Sequence, residues 1–151
     1  MRALILILIL ISFATSDQYT FLINKYNKEM ELEAKIIANI ATLATKGEIK
    51  LFIPNISKVE KKVYSKIFTL VDKCEKSNFV FVKKNIKIDP KCLNNKRLFF
   101  TNNYKKLLNK DIYFGAFFWS KSRPNIVFIK NRLRTKKILL PKSYNKFIED
   151  F

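Results

Sequence analysis

The strongest constraint on the fold of this chain is its alternation of helical apolar stripes with short aromatic and β-branched runs. Helical spacing is clearest after Glu29. Ala34, Ile37, Ala41 and Ala44 recur every three or four positions, and Ile36, Ile40 and Leu43 widen the face. Gly47 supplies the stop. Asp17–Lys28 ahead of this helix has no clear period and reads as an irregular lead-in. Glu48–Pro54 puts Ile49, Leu51 and Ile53 on one side, which predicts a strand closed by proline. Ser57 with Glu60 three residues on forms a capping box for a second helix. Its stripe of Val59, Val63, Ile67, Leu70 and Val71 carries that helix to Lys73.

Strands dominate the second half. Phe79–Val82 (FVFV) and Arg97–Thr101 (RLFFT) are near-continuous apolar runs, as expected of central strands covered on both faces. Tyr104–Leu108 reads as one short helical turn. Ile112–Trp119 and Asn125–Lys130 form a hairpin with a loop of about five residues, and Gly115 marks a bulge or a close backbone approach. Arg132–Lys137 and Lys142–Phe151 end the chain as short helices around ILLP. The expected class is α/β, a single mixed sheet of about five strands flanked by helices, with a C-terminal β-hairpin and short terminal helices.

The N-terminus assigns a compartment. Arg2 precedes an apolar run from Ala3 to Ile11, and Ser12, Ala14 and Ser16 offer cleavage after Ala14 or after Ser16. Residues 1–16 therefore read as a secretory signal peptide, with 17–151 as one α/β domain located in the periplasm. The apolar stretch is shorter than the roughly 17 residues a membrane-spanning helix needs, and an uncleaved anchor is the competing reading.

Charge and cysteine usage take their meaning from that address. The chain holds 30 Lys+Arg against 12 Asp+Glu, a net charge of +18. These charges are spread along the sequence, and an exported protein does not meet the chromosome, so no nucleic-acid partner is expected. A basic surface there meets anionic lipid headgroups, acidic glycans or an acidic protein face, or is simply solvated. Cys74 and Cys92 read as one disulfide, worth roughly 3 kcal/mol on the chain-entropy model, with two buried free thiols as the alternative. Both follow a lysine and sit five residues before an apolar strand. If those strands run parallel side by side, the cysteines come within the roughly 4–7 Å that a disulfide spans.

Catalytic constellations are nearly absent. With no histidine, Ser-His-Asp and Cys-His mechanisms are excluded, and the commonest metal ligand is missing. The acids fall mostly on helix faces and turns, so no catalytic residue, cofactor or metal is assigned. The hairpin supplies the candidate partner contact, because aromatics beside arginine are typical of interface hot spots. Those residues are Phe118, Trp119, Lys121, Arg123 and Asn125, against the plainer reading of a core hairpin.

In its order of elements the chain resembles the YfiR-like family of small periplasmic proteins. Glu33–Ala44 matches the first helix, IKLFI its strand, and CEKSNFVFV the cysteine-led strand. KRLFFTNNYKKL and FGAFFW with PNIVFIKNRL fill the closing strands, and ILLPKSYNKFI the last helix. The glycine-rich hairpin entry is reduced here to Gly115, and two cysteines cannot build a two-disulfide framework. The resemblance implies a non-enzymatic periplasmic regulator, monomer or homodimer, that restrains an inner-membrane signalling protein. The alternative is an envelope-associated binding module for anionic solutes, glycans or lipid headgroups. A regulator needs an apolar patch near the hairpin or first helix, whereas a ligand binder needs a concave pocket with converging Lys and Arg.

Overall fold

The computed structural model describes residues 2–109 and 111–150, with side-chain surroundings from Ile23 onward except at Asn109. The expected signal peptide, residues 1–16, and its cleavage site lie outside that side-chain description. Helix α1 runs from Arg2 to Ala44, so the lead-in at Asp17–Lys28 is helical and continuous with the helix expected after Glu29. The reason is an absence of breakers: the first glycine is Gly47 and the first proline Pro54. Gly47 takes φ +84°, the left-handed conformation that turns the chain out of the helix. Met30, Ala34, Ile37, Ile40 and Ala41 form the buried stripe of α1.

Among the described residues seven strands make one sheet in the order β2-β1-β3-β4-β5-β6-β7. The five expected strands are all present: β1 (Lys50–Phe52), β3 (Phe79–Val82), β4 (Leu98–Thr101), β5 (Tyr113–Ser120) and β6 (Arg123–Ile129). The other two, β2 (Thr69–Leu70) and β7 (Ile148–Glu149), are two-residue edge strands. Strands β2, β1, β3, β4 and β5 are parallel, β6 runs antiparallel to β5, and β7 is parallel to β6. The sheet is covered on both faces, and alternation divides its residues between two cores. Phe79 and Phe81 join Phe100, Phe114, Phe117 and Phe128 beneath α1. Val80 and Val82 join Phe99, Tyr113 and Val127 on the other side. Each large side chain so buried contributes roughly 1.5–3 kcal/mol.

Two helices end earlier than their stripes suggest. Ser57 and Glu60 form the expected capping box, but helix α2 covers only Lys58–Tyr64. Tyr64 is fully buried and Phe68 nearly so, while Val59 (54%) and Ile67 (41%) of the expected stripe are exposed. The chain has to turn back after Tyr64 so that Thr69–Leu70 can pair in parallel with β1, and tertiary pairing overrides the periodic pattern. At the C-terminus, Lys142–Phe147 is a 3-10 turn and Ile148–Glu149 pairs with β6, where the pattern predicts a helix to Phe151. The added strand covers part of an otherwise open sheet edge. Helix α3 (Lys105–Asn109) and helix α4 (Lys130–Thr135) lie close to their expected positions.

The hairpin is tighter than the five-residue loop expected. Ser120 pairs with Arg123, leaving a two-residue turn of Lys121 and Ser122 at φ +50° and +59°. Two consecutive positive φ values define the type I′ geometry that matches strand twist, and it is one that lysine and serine adopt at a cost. Replacing the pair by Asn-Gly should therefore raise stability by about 1 kcal/mol, read as a higher urea midpoint at unchanged slope.

Candidate functional site

Strand order reverses between β1 and β3, and in open parallel sheets the crevice beyond the carboxyl ends at such a point is the usual ligand site. Here the crevice is narrowed to a cavity of about 230 Å³, and Glu33, Glu60 and Lys83, which line it, are paired with one another. Tyr64 donates its hydroxyl proton to Glu33 Oε1 at 2.7 Å. Lys83, just past β3, donates to Glu60, stands 4.0 Å from Glu33 and lies over the Tyr64 ring. Glu60 Oε2 also accepts from the Ser57 backbone N–H. Burial pushes the Glu33 carboxyl above the usual carboxylate range, against the Tyr64 and Lys83 contacts that favour its charge. Burial acts on Glu60 too, but bonds from Lys83 and Ser57 outweigh it and hold Glu60 below that range. The Tyr64 hydroxyl is raised, by burial first and then by Glu33. Every ionised group in this cluster has a partner, and together they tie α1, α2 and β3. We read it as a structural lock.

The opposite, amino edge is different. A groove of about 560 Å³ opens between the end of α1, the loop before β4 and the end of α4. Four lysines line it, Lys46, Lys96, Lys136 and Lys137, and no acidic side chain does. Among the described residues none of the four takes part in an ion pair. Lys136 reaches only the Asn95 carbonyl, at a long 3.5 Å. Thr45 also lines the groove, and its buried hydroxyl has no hydrogen-bond partner. Asn78 is already engaged, accepting from the Lys50 N–H and donating to the Glu48 carbonyl, both at 2.8 Å.

A simpler role for these lysines is to complement helix ends, since Lys46 follows α1 and Lys136 follows α4. Magnitudes decide against that as the whole explanation. Each helix C-terminus presents roughly half a negative charge. Two such ends offset about one of the four ammonium groups, so the groove keeps a positive excess. Like charges held together are unfavourable unless an anion neutralises them.

The expected hairpin contact does not gather into one patch. Trp119 packs edge-on against buried Phe117 on the α1 side, with ring centroids 5.7 Å apart. Phe118 packs on Tyr104 across the sheet, at 5.4 Å. Both faces are core, so Phe118 and Trp119 are each half-buried, on opposite sides of the sheet. Lys121 and Arg123 are exposed at the turn, and Asn125 donates to the Arg123 carbonyl at 2.9 Å.

The expected disulfide is also absent. Cys74 and Cys92 are free, buried thiols that are not at disulfide distance. Their strands are parallel neighbours as expected, but the ladder pairs Phe79 with Leu98, not with Arg97. The Cys92 segment is thus one residue out of step with the sequence echo. Arg97 ties the two cysteine segments together, donating to the carbonyls of Cys92 at 3.0 Å and Glu75 at 3.1 Å. Burial, and then the hydrogen bond with Cys74, push the Cys92 thiol up to about 12, far from the thiolate that disulfide exchange requires.

The four groove lysines are hidden in the sequence because they come from three separate segments. The only local sign is the clustering of Lys96 with Asn94 and Asn95, and of Lys136 with Lys137. Comparison of the chain with protein-family models, with curated proteins and with solved structures gave no match.

Proposed function

We propose that this protein is an exported, non-enzymatic binding module whose amino-edge groove holds an anionic ligand. The observation that carries the reading is the convergence of Lys46, Lys96, Lys136 and Lys137, without acidic partners, on one groove. That is the concave site with converging cations that distinguishes a ligand binder from a regulator working through an apolar hairpin patch. Ammonium groups supply charge-assisted donors to phosphate or carboxylate oxygens.

Titration calorimetry with pyrophosphate tests this reading. Binding should be saturable, should weaken as salt rises, and should fall at least tenfold in the Lys136→Gln/Lys137→Gln double variant. Substituting Lys121 and Arg123 by glutamine removes the same charge from the hairpin turn and should leave binding unchanged. Equal losses from the two double variants would show a response to net charge alone and would sink the proposal.

The YfiR-like order of elements extends the reading to a sensor whose occupied state is read by a protein in the envelope. Ile23 and Tyr26, three residues apart and exposed on α1, favour that extension by giving such a protein apolar contacts away from the groove.

A further inference from the structure

The lysine groove does not end at its charged rim. A second cavity of about 370 Å³ shares Asn95 and Lys136 with it and continues along the same edge. Its character changes over that short distance. Leu93, Ile112 and the edge of buried Phe99 line it beside Asn94 and Asn95, and Lys136 is its only cation. Leu93 is 47% exposed although it is a large apolar residue, and it stands on the loop that leads toward Asn95. Water in this cavity therefore faces apolar surface on several sides, and filling it with a chain of methylene groups is favourable. A purely ionic ligand uses the lysines and leaves the second cavity wet.

We propose that the natural ligand is a single amphiphilic anion, with its phosphate among the lysines and one apolar chain lying on Leu93, Phe99 and Ile112. The inference rests on the anion-binding reading of the groove and adds the chain. Lys136, common to both cavities, marks the junction between head and tail. Alternation places Phe99 on the sheet face opposite α1, so the chain lies at the rim of that face's core and away from the first helix. An isolated molecule fits this arrangement better than a bilayer surface, because the apolar stretch is a recess beside the groove and not a protruding ridge.

The test compares octyl phosphate, kept below its micelle concentration, with inorganic phosphate, neutral octyl glucoside and vesicles of anionic phospholipid, on the full domain. Octyl phosphate should bind at least tenfold tighter than inorganic phosphate, and octyl glucoside should bind weakly. Leu93→Ser should remove most of the tenfold advantage while leaving inorganic phosphate binding unchanged. Equal affinity for octyl phosphate and inorganic phosphate would overturn the chain and leave the anion site standing. Failure of every phosphate ligand would overturn the groove reading and this inference with it. Equal binding of octyl phosphate and octyl glucoside, or binding to vesicles alone, would also overturn it. Should Leu93→Ser prove poorly folded, Leu93→Gln supplies the second variant with the same expected result, since it keeps a long side chain on an exposed position and adds no charge beside the lysines.

Discussion

Replacing Gly115 with valine is expected to cost about 3 kcal/mol or more, enough to unfold much of the population of an ordinary small domain. A Cβ built at this position meets the Val127 carbonyl oxygen at 2.6 Å, Phe100 Cε2 at 2.7 Å and Phe128 Cδ1 at 2.9 Å. The first of these is backbone in the paired strand β6 and has no rotamer to give. Gly115 also sits where the β4–β5 register slips: Phe99 opposes Tyr113, but Phe100 opposes Gly115. The bulge and the close approach share a cause, since the rings of Phe100 and Phe128 close over the space that a side chain would take. Even Gly115→Ala should lower the urea midpoint by more than an exposed control such as Leu139→Ala. A midpoint within about 0.5 kcal/mol of the parent for both Gly115 variants would contradict this packing.

Lys83→Met carries the second large effect. Lys83 is the one cation of the carboxyl-edge cluster, bonded to Glu60 and close to Glu33, and all three side chains are mostly buried. Removing it leaves two carboxylates without their counter-charge, at a cost of roughly 3–5 kcal/mol near neutral pH. The pH dependence gives the prediction its signature. Glu60, held below the ordinary range, adds stability above its unfolded value, and this is lost as pH falls through the depressed folded value. Glu33, raised above that range, acts in the opposite sense: its contribution is complete at low pH and is lost as pH rises through the raised folded value. Both depend on Lys83 when charged. The deficit of Lys83→Met should therefore be largest near pH 7 and shrink below about pH 4, where carboxyl groups take up protons. Denaturant unfolding of both proteins at the two pH values measures it. A deficit that does not change with pH would mean that Lys83 acts through its ammonium over the Tyr64 ring, not through the two carboxylates.

Much of the architecture can be read from local pattern. The capping box at Ser57 and Glu60, the doubly buried runs FVFV and LFF, and the close approach at Gly115 all report interactions within a few residues or one strand pair. The misreadings arise where distant partners decide. Ile67 fits a helical stripe, yet the chain leaves the helix after Tyr64 because β1 offers a parallel edge to Thr69 and Leu70. The Lys-Cys echo is real as spacing, but a one-residue difference in ladder register and the Arg97 side chain decide what the thiols meet. The site is the least legible part. Lys46, Lys96 and Lys136 are 50 and 40 residues apart along the chain, and only the mixed topology, with β6 antiparallel to the other long strands, brings them to one edge. Charge that looks evenly spread in sequence is locally concentrated in space.

Anion binding at the amino-edge groove is the central claim, and a two-dimensional amide NMR titration with pyrophosphate tests it most directly. The account predicts saturable shifts confined to Thr45, Lys46, Asn95, Lys96, Lys136, Lys137 and their neighbours, abolished in Lys136→Gln/Lys137→Gln. Shifts scattered over the basic surface, including Lys121 and Arg123, and rising linearly without saturation would contradict it.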